Sequence, residues 1–182
     1  MEVIPEVKDI TVLYADFIGF NKLAKIFEPN DMMAFLNRLF QVMEAPINEF
    51  QGVIDKIVGD AIIVTFNAFE PVAQHQEDAV KTAIKIIDAV KAFSQEEEHK
   101  IELGIGIASG QASCGPVGTS TYHPPTVVGQ VVGKAYQLSE KGCKQNLSTL
   151  YVDANVFHET ISSFEYQQIE EDIFKVNIPL FP

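Results

Sequence analysis

The feature that most limits what this chain can become is a hairpin set between two helical stretches. Residues 53–66 read VIDKIVGDAIIVTF, two apolar β-branched runs around Val58-Gly59-Asp60-Ala61, which is hairpin chemistry. Upstream, ITVLYADFI (10–18) is apolar and β-branched with one aspartate near its end, and it predicts a buried strand. Between the two, GFNKLAKIF turns into a helix. A second helix follows in EPNDMMAFLNRLFQVMEAPINEFQG, with Met33, Leu36, Phe40 and Met43 at helical spacing, Asp31 or Asn30 as N-cap and Gly52 as stop. After the hairpin, HQEDAVKTAIKIIDAVKAFSQEEE is a long amphipathic helix with Ala79, Ala83, Ile86, Ile87 and Val90 inward. KIELGIGIASG and QASCGPVG read as two glycine-rich strands and TSTYHPPTVVG as a loop or arm. VVGQVVGKAYQLSE reads as a helix, and TLYVDANVF and FEYQQIEEDIFKVNI as closing strand segments with room for a short helix between them. The order is strand, helices, hairpin, helix, strands, helix, strands. It predicts a split βαβ arrangement: one α+β domain over 1–182, ferredoxin-like, with a mainly antiparallel sheet and helices on one face.

Charge narrows the possible partners. The 182 residues carry a net charge of −12, which disfavours nucleic acid and anionic membrane surfaces. Arg38 is the only arginine, so chemistry needing another must draw it from a second chain. No apolar run is long enough for a membrane span, and MEVIPEVKD lacks signal-peptide character. The expectation is a cytoplasmic protein or a fragment of one. Two cysteines, Cys114 and Cys143, fit a reducing compartment and have no metal-ligand spacing; a disulfide between them stays open. His75, His99, His123 and His158 are scattered and read as structural or surface residues.

Asp16 ends the first strand and is followed by Phe17, Ile18, Gly19 and Phe20. A carboxylate followed by free backbone N–H groups at a helix start suits a metal and its phosphates. Asp60 lies in the hairpin turn. If the hairpin pairs beside the first strand, both carboxylates meet at one sheet edge, where a divalent metal relieves their repulsion. Taken singly, Asp60 is a turn former, Asp16 a helix cap and Lys56 a solvated strand residue. The helix at 127–140 raises a separate question. Gly133 and Gln137 lie four apart and share one face, although a mid-helix glycine costs about 1 kcal/mol relative to alanine.

VLYADFIGFNKLA resembles the first metal motif of the class III nucleotide cyclases, the adenylyl and guanylyl cyclases. GVIDKIVGDAIIVTF resembles their second, ELGIGIASGQASCGPVG their next strand pair, and TVVGQVVGKAYQLSE stands in the place of their catalytic helix. Four motifs in order, over about residues 10–145, make the resemblance specific. It implies a head-to-tail dimer, a homodimer or a heterodimer with another cyclase domain, and a site between the two chains. It implies Asp16 and Asp60 as ligands for two Mg²⁺ or Mn²⁺ ions that hold the triphosphate. The ribose 3′-hydroxyl then attacks the α-phosphate and expels pyrophosphate. The residues Phe17, Ile18, Gly19 and Phe20 would lie against the substrate, which is ATP or another nucleoside triphosphate. The resemblance implies that the chain opposite the aspartates supplies the base-selecting pair, in which Lys56 matches the lysine of adenylyl cyclases. Thr126 stands where many members have aspartate and some bacterial ones threonine.

The same resemblance exposes departures. Gly133 replaces the asparagine that orients the ribose, and Gln137 the arginine that stabilises phosphate charge. Gln111 replaces a further arginine and Gln130 an aspartate, while the late basic phosphate clamp is matched only weakly by Lys175. Losing one electrostatic donor of this kind costs about 10²- to 10³-fold in rate. Three readings follow. The chain is the metal-donating half of an asymmetric pair, weak or inactive alone; or a non-catalytic domain for dimerisation, nucleotide binding or regulation; or an active homodimer in which Lys134 supplies the lost cation. A diguanylate cyclase is disfavoured because its Gly-Gly-Asp/Glu-Glu-Phe turn is absent.

Overall fold

The fold is seen in a computed structural model that describes residues 4–178. The first three and last four residues, including the start of the stretch read for a leader and the ends of the 1–182 domain, lie outside it. Strand β1 (Glu6–Phe17) is central, flanked by β3 (Ala61–Phe66) and β4 (Leu103–Pro116), both antiparallel to it. Strand β2 (Val53–Val58) pairs with β3 as the hairpin reading requires. Helix α1 (Phe20–Leu23) is a single turn, and α2 (Pro29–Glu49) carries the chain from β1 to β2. Helix α3 (His75–Glu96) carries it from β3 to β4. Two split βαβ units therefore interleave, which is the ferredoxin-like arrangement.

Beyond β4 come β5 (Pro125–Val128), α4 (Gln130–Cys143), β6 (Thr149–Asp153), α5 (Ala154–Thr160), β7 (Tyr166–Glu170) and β8 (Ile173–Val176). The sheet runs β2-β3-β1-β4-β6-β8-β7, with β5 folded against β4. Only the β4–β6 ladder is parallel among these pairings.

Three expectations are corrected. Helices cover both faces of the sheet, not one. Leu13, Ala15 and Phe17 pack under α2 and α3, whereas Ile10 and Val12 pack under α4 with Val131, Ala135 and Leu138. A strand sandwiched in this way reads as a near-continuous apolar run, and β1 does so over residues 10–15, where Thr11 is the one polar residue. The glycine-rich pair is one 14-residue strand, because Gly110 stays in register opposite Ile10 instead of breaking it. Helix α2 buries Met32, Phe35, Leu39, Met43, Pro46 and Ile47 and begins at Pro29 after Glu28. Met33 is 65 % exposed, and Leu36 and Phe40 sit at the margin of the core.

Helix α4 lies unusually close to the sheet. A Cβ on Gly106 would stand 2.1 Å from the Ala135 carbonyl oxygen, and one on Gly104 would stand 2.5 Å from Cys143 Sγ. These two glycines let the helix backbone rest on β4. Among the described residues no helix is long and apolar enough to cross a membrane.

Candidate functional site

Alternation along β1 sends Asp16 to the α4 side of the sheet, opposite Ala61 and Gly104. The β2–β3 turn returns the chain beside it through Gly59, whose φ is +63, the positive value a tight hairpin turn requires. Asp60 follows, close enough for the two carboxyl groups to act on each other electrostatically. Burial, then the charge of Asp16, raises the Asp60 carboxyl to about 6. Burial also raises Asp16, against the Phe17 backbone N–H, the Cys143 thiol and Asp60, which all favour its charged form.

Cys143, at the end of α4, donates to Asp16 Oδ2 at 3.8 Å. Burial, then the charge of Asp16, pushes this thiol up to about 12, so it stays protonated. The close seating of α4 on Gly104 delivers it there. Among the described residues no three His, Cys, Asp or Glu side chains form a ready-made metal cage. The acidic pair offers two protein ligands. That donor set suits Mg²⁺ or Mn²⁺, which take one or two carboxylates and fill their other positions with water and phosphate oxygens.

The segment after Asp16 differs from its expectation of free N–H groups. The Phe17 ring is buried against Phe20 and Phe35. Its N–H serves Asp16, and the Ile18 N–H donates to the Glu102 carbonyl at 2.9 Å. Gly19 takes φ +89 at the start of α1. A cavity of about 460 Å³ opens there, lined by Phe17, Ile18, Gly19, Lys22, Lys100 and Cys143 among others. Lys22 and Lys100 were not picked out by the motifs, since they lie on a one-turn helix and before a strand.

Lys56 and Thr126 are brought together. Lys56 Nζ donates to Thr126 Oγ1 at 2.7 Å, and the β4–β5 arm carries Thr126 across to β2. Sequence reasoning missed Asp55, which joins them: Lys56 Nζ lies 2.9 Å from Asp55 Oδ2, and Thr126 Oγ1 donates to the same oxygen at 3.1 Å. The Asp-Lys neighbours in VIDKIV were the available signal.

The α4 face is bare. Gly133 and Gln137 are exposed, and a Cβ on Gly133 would meet nothing within 4 Å. Gln137 and Lys134 line a cavity of about 390 Å³ with Asp153, Asn155 and Asp172. Gln111, Gln130 and Lys134 line an adjoining one of about 250 Å³. Lys175 sits opposite Tyr151 in the β6–β8 ladder and is not among the residues lining either cavity. Arg38 is engaged elsewhere: it pairs with Glu97 at 3.0 Å and lies over Phe93 on the α2–α3 side.

Residues 2–171 match the adenylate and guanylate cyclase catalytic domain family. The chain is 30 % identical over 135 residues to the uncharacterized protein Rv1320c of Mycobacterium tuberculosis (strain ATCC 25618 / H37Rv), a match covering 74 % of this chain and 23 % of that protein. It thus spans about a quarter of that relative's length. The adenylyl cyclase CyaB from P. aeruginosa superposes with a TM-score of 0.87 at 22 % identity, covering 96 % of each chain. The guanylate cyclase domain of RhGC from Catenaria anguillulae, solved in complex with GTP, superposes at 0.85 and 22 % identity, covering 95 % of this chain and 98 % of that one. With the acidic pair at the β1 end, the Lys56–Thr126 pair on the arm and a family match over nearly its whole length, this chain belongs to the adenylate and guanylate cyclase catalytic domain family.

Proposed function

We propose that this chain is the metal- and nucleotide-binding half of a cyclase pair. It converts ATP to cyclic AMP and pyrophosphate when a second cyclase domain lends an asparagine and an arginine, and gives little or no turnover alone. One observation carries the reading: the hairpin brings Asp60 beside Asp16 at the end of β1, while Gly133 and Gln137 supply neither a cation nor a ribose ligand at their own positions on the helix. Two Mg²⁺ or Mn²⁺ ions held by the aspartates would supply Lewis acidity to triphosphate oxygens.

The base-selecting pair of the family's dimer comes from the chain opposite the metal aspartates, so Lys56, donating to a purine acceptor, and Thr126, accepting from an amino group, serve the site that the partner's aspartates complete. At the metal site, Lys22 and Lys100, beside Gly19, offset triphosphate charge, with Phe17 and Ile18 lining that wall and Phe20 packed against Phe17. Gln137 donates a hydrogen bond but cannot neutralise an oxyanion. Exposed Ile57 and Val58 on β2, Val117 and Tyr122 on the arm and Tyr136 on α4 support pairing with a second cyclase domain, identical or different. Both cysteines are free, which supports a cytoplasmic setting. The four neutral positions Gln111, Gln130, Gly133 and Gln137 equally favour a second reading, a non-catalytic module that dimerises, binds nucleotide or regulates.

The test is cyclic AMP formation from ATP with Mg²⁺ or Mn²⁺. Wild type alone is expected to show little, and Gly133→Asn with Gln137→Arg to raise it. Robust turnover by the wild-type homodimer would overturn the half-site reading.

A further inference from the structure

We propose that Asp55 is a positioning residue that fixes Thr126 as a hydrogen-bond acceptor, so that the Lys56–Thr126 pair reads adenine against guanine. This deepens the nucleotide reading above and rests on it.

Strand β2 shifts register between Ile54 and Lys56, and the residue at the shift is Asp55, a bulge of the kind that re-aims a side chain. Its side chain is only 1 % exposed, against 42 % for Lys56. Asp55 Oδ2 accepts from both Lys56 and Thr126, while Oδ1 is buried with no partner. Leaving a buried acceptor unsatisfied costs about 1–3 kcal/mol, so this carboxylate is poorly explained by packing alone.

Counting protons defines what the group offers outward. A hydroxyl has one proton and two lone pairs. The Thr126 proton goes to Asp55 and one lone pair takes the Lys56 donor, leaving one acceptor site. An ammonium has three protons; Lys56 uses two on Asp55 and Thr126, leaving one donor. Adenine presents an amino donor at C6 beside the N1 acceptor, whereas guanine presents the O6 acceptor beside an N1–H donor. Lys56 and Thr126 stand on different strands and cannot exchange places. With the C6 position at Thr126, adenine is matched, and guanine sets O6 against a lone pair. A freely rotating hydroxyl would turn and donate to O6; the Asp55 carboxylate holds its proton away.

The test is calorimetric titration of the full chain with non-hydrolysable ATP and GTP analogues in Mn²⁺. Wild type is expected to favour the ATP analogue by about tenfold or more, as one mismatched neutral hydrogen bond implies. Asp55→Leu removes the acceptor and is expected to narrow the ratio to within about threefold. Asp55→Asn keeps an oxygen that accepts the Thr126 proton and is expected to retain the preference, which separates hydrogen-bond direction from loss of charge. Should Asp55→Leu fail to fold, Asp55→Ala is measured with the same expectation. An unchanged ratio in a folded Asp55→Leu or Asp55→Ala, a collapsed ratio in Asp55→Asn, or a wild type that binds both analogues equally would overturn the inference alone. A wild type that binds neither would overturn the nucleotide reading and this inference with it.

Discussion

The strand end of the molecule and the outer face of α4 carry opposite kinds of chemistry. At the strand end, polar groups are largely half-buried and coupled: Asp16 with Asp60 and Cys143, and the buried Asp55 side chain with Lys56 and Thr126. Burying such groups is unfavourable unless they are paired or hold a ligand. On α4, Gly133 and Gln137 are solvated and make no demand on the fold. The difference teaches where a degenerate site loses its parts first. Groups that face solvent to meet a partner can be replaced with little effect on the fold, whereas replacing groups coupled at the strand end changes its stability and how that stability depends on pH.

The largest expected effect comes from restoring the bare face. Gly133→Asn with Gln137→Arg should raise cyclic AMP formation by at least about 10²-fold if the strand end is otherwise competent. The gain need not equal the product of the single changes. Space is available, since nothing lies within 4 Å of a Cβ at Gly133. A preserved fold that binds metal and ATP yet gains no activity would show that the strand end is also impaired.

Next in size is the contrast between two glycines at the same helix. Gly106→Ala drives a methyl to 2.1 Å from the Ala135 carbonyl oxygen. Urea denaturation should show a loss of about 3 kcal/mol, the upper end of ordinary overpacking. Gly133→Ala, with open space around it, should instead stabilise by up to about 1 kcal/mol through helix propensity. Equal effects at the two positions would mean that α4 is not seated as described.

A smaller effect separates the acidic pair from its surroundings. Asp60 is raised from the ordinary carboxylate value of about 4 to about 6, so the folded state holds its proton more tightly than the unfolded chain. Its contribution to stability is therefore present below about pH 4 and is lost as pH rises to about 6. In metal-free buffer, the melting temperature of Asp60→Asn should gain on that of wild type across this window and hold a constant lead above it. Mn²⁺ at pH 7 should close the gap by stabilising wild type alone. A gap that does not change with pH would contradict the raised Asp60 carboxyl.

Much of this architecture was legible in the sequence. The hairpin, β1, α3 and the position of Asp60 in a turn followed from β-branched runs, a Gly-Asp break and helical spacing. Other features were not. Helix α2 is apolar on two adjacent rows, so spacing alone could not choose Met32, Phe35 and Leu39 over Met33, Leu36 and Phe40. Val127 opens a helical pattern in sequence, yet it pairs with Cys114 in β5, because a short apolar run fits either period. Asp55 escaped notice because its role depends on a register shift and on an arm 71 residues away. Helices on both faces were not expected, because the split βαβ pattern suggests one face, and the apolar run of β1 over residues 10–15 is the signal that could have shown otherwise.

The central claim is that Asp16 and Asp60 still hold divalent metal and nucleotide while the catalytic helix has lost its working groups. Calorimetric titration with Mn²⁺ and a non-hydrolysable ATP analogue, on wild type and Asp16→Ala, tests it most directly. The account predicts Mn²⁺-dependent binding by wild type that Asp16→Ala abolishes. Binding that is absent in wild type, or that survives in Asp16→Ala, would contradict it.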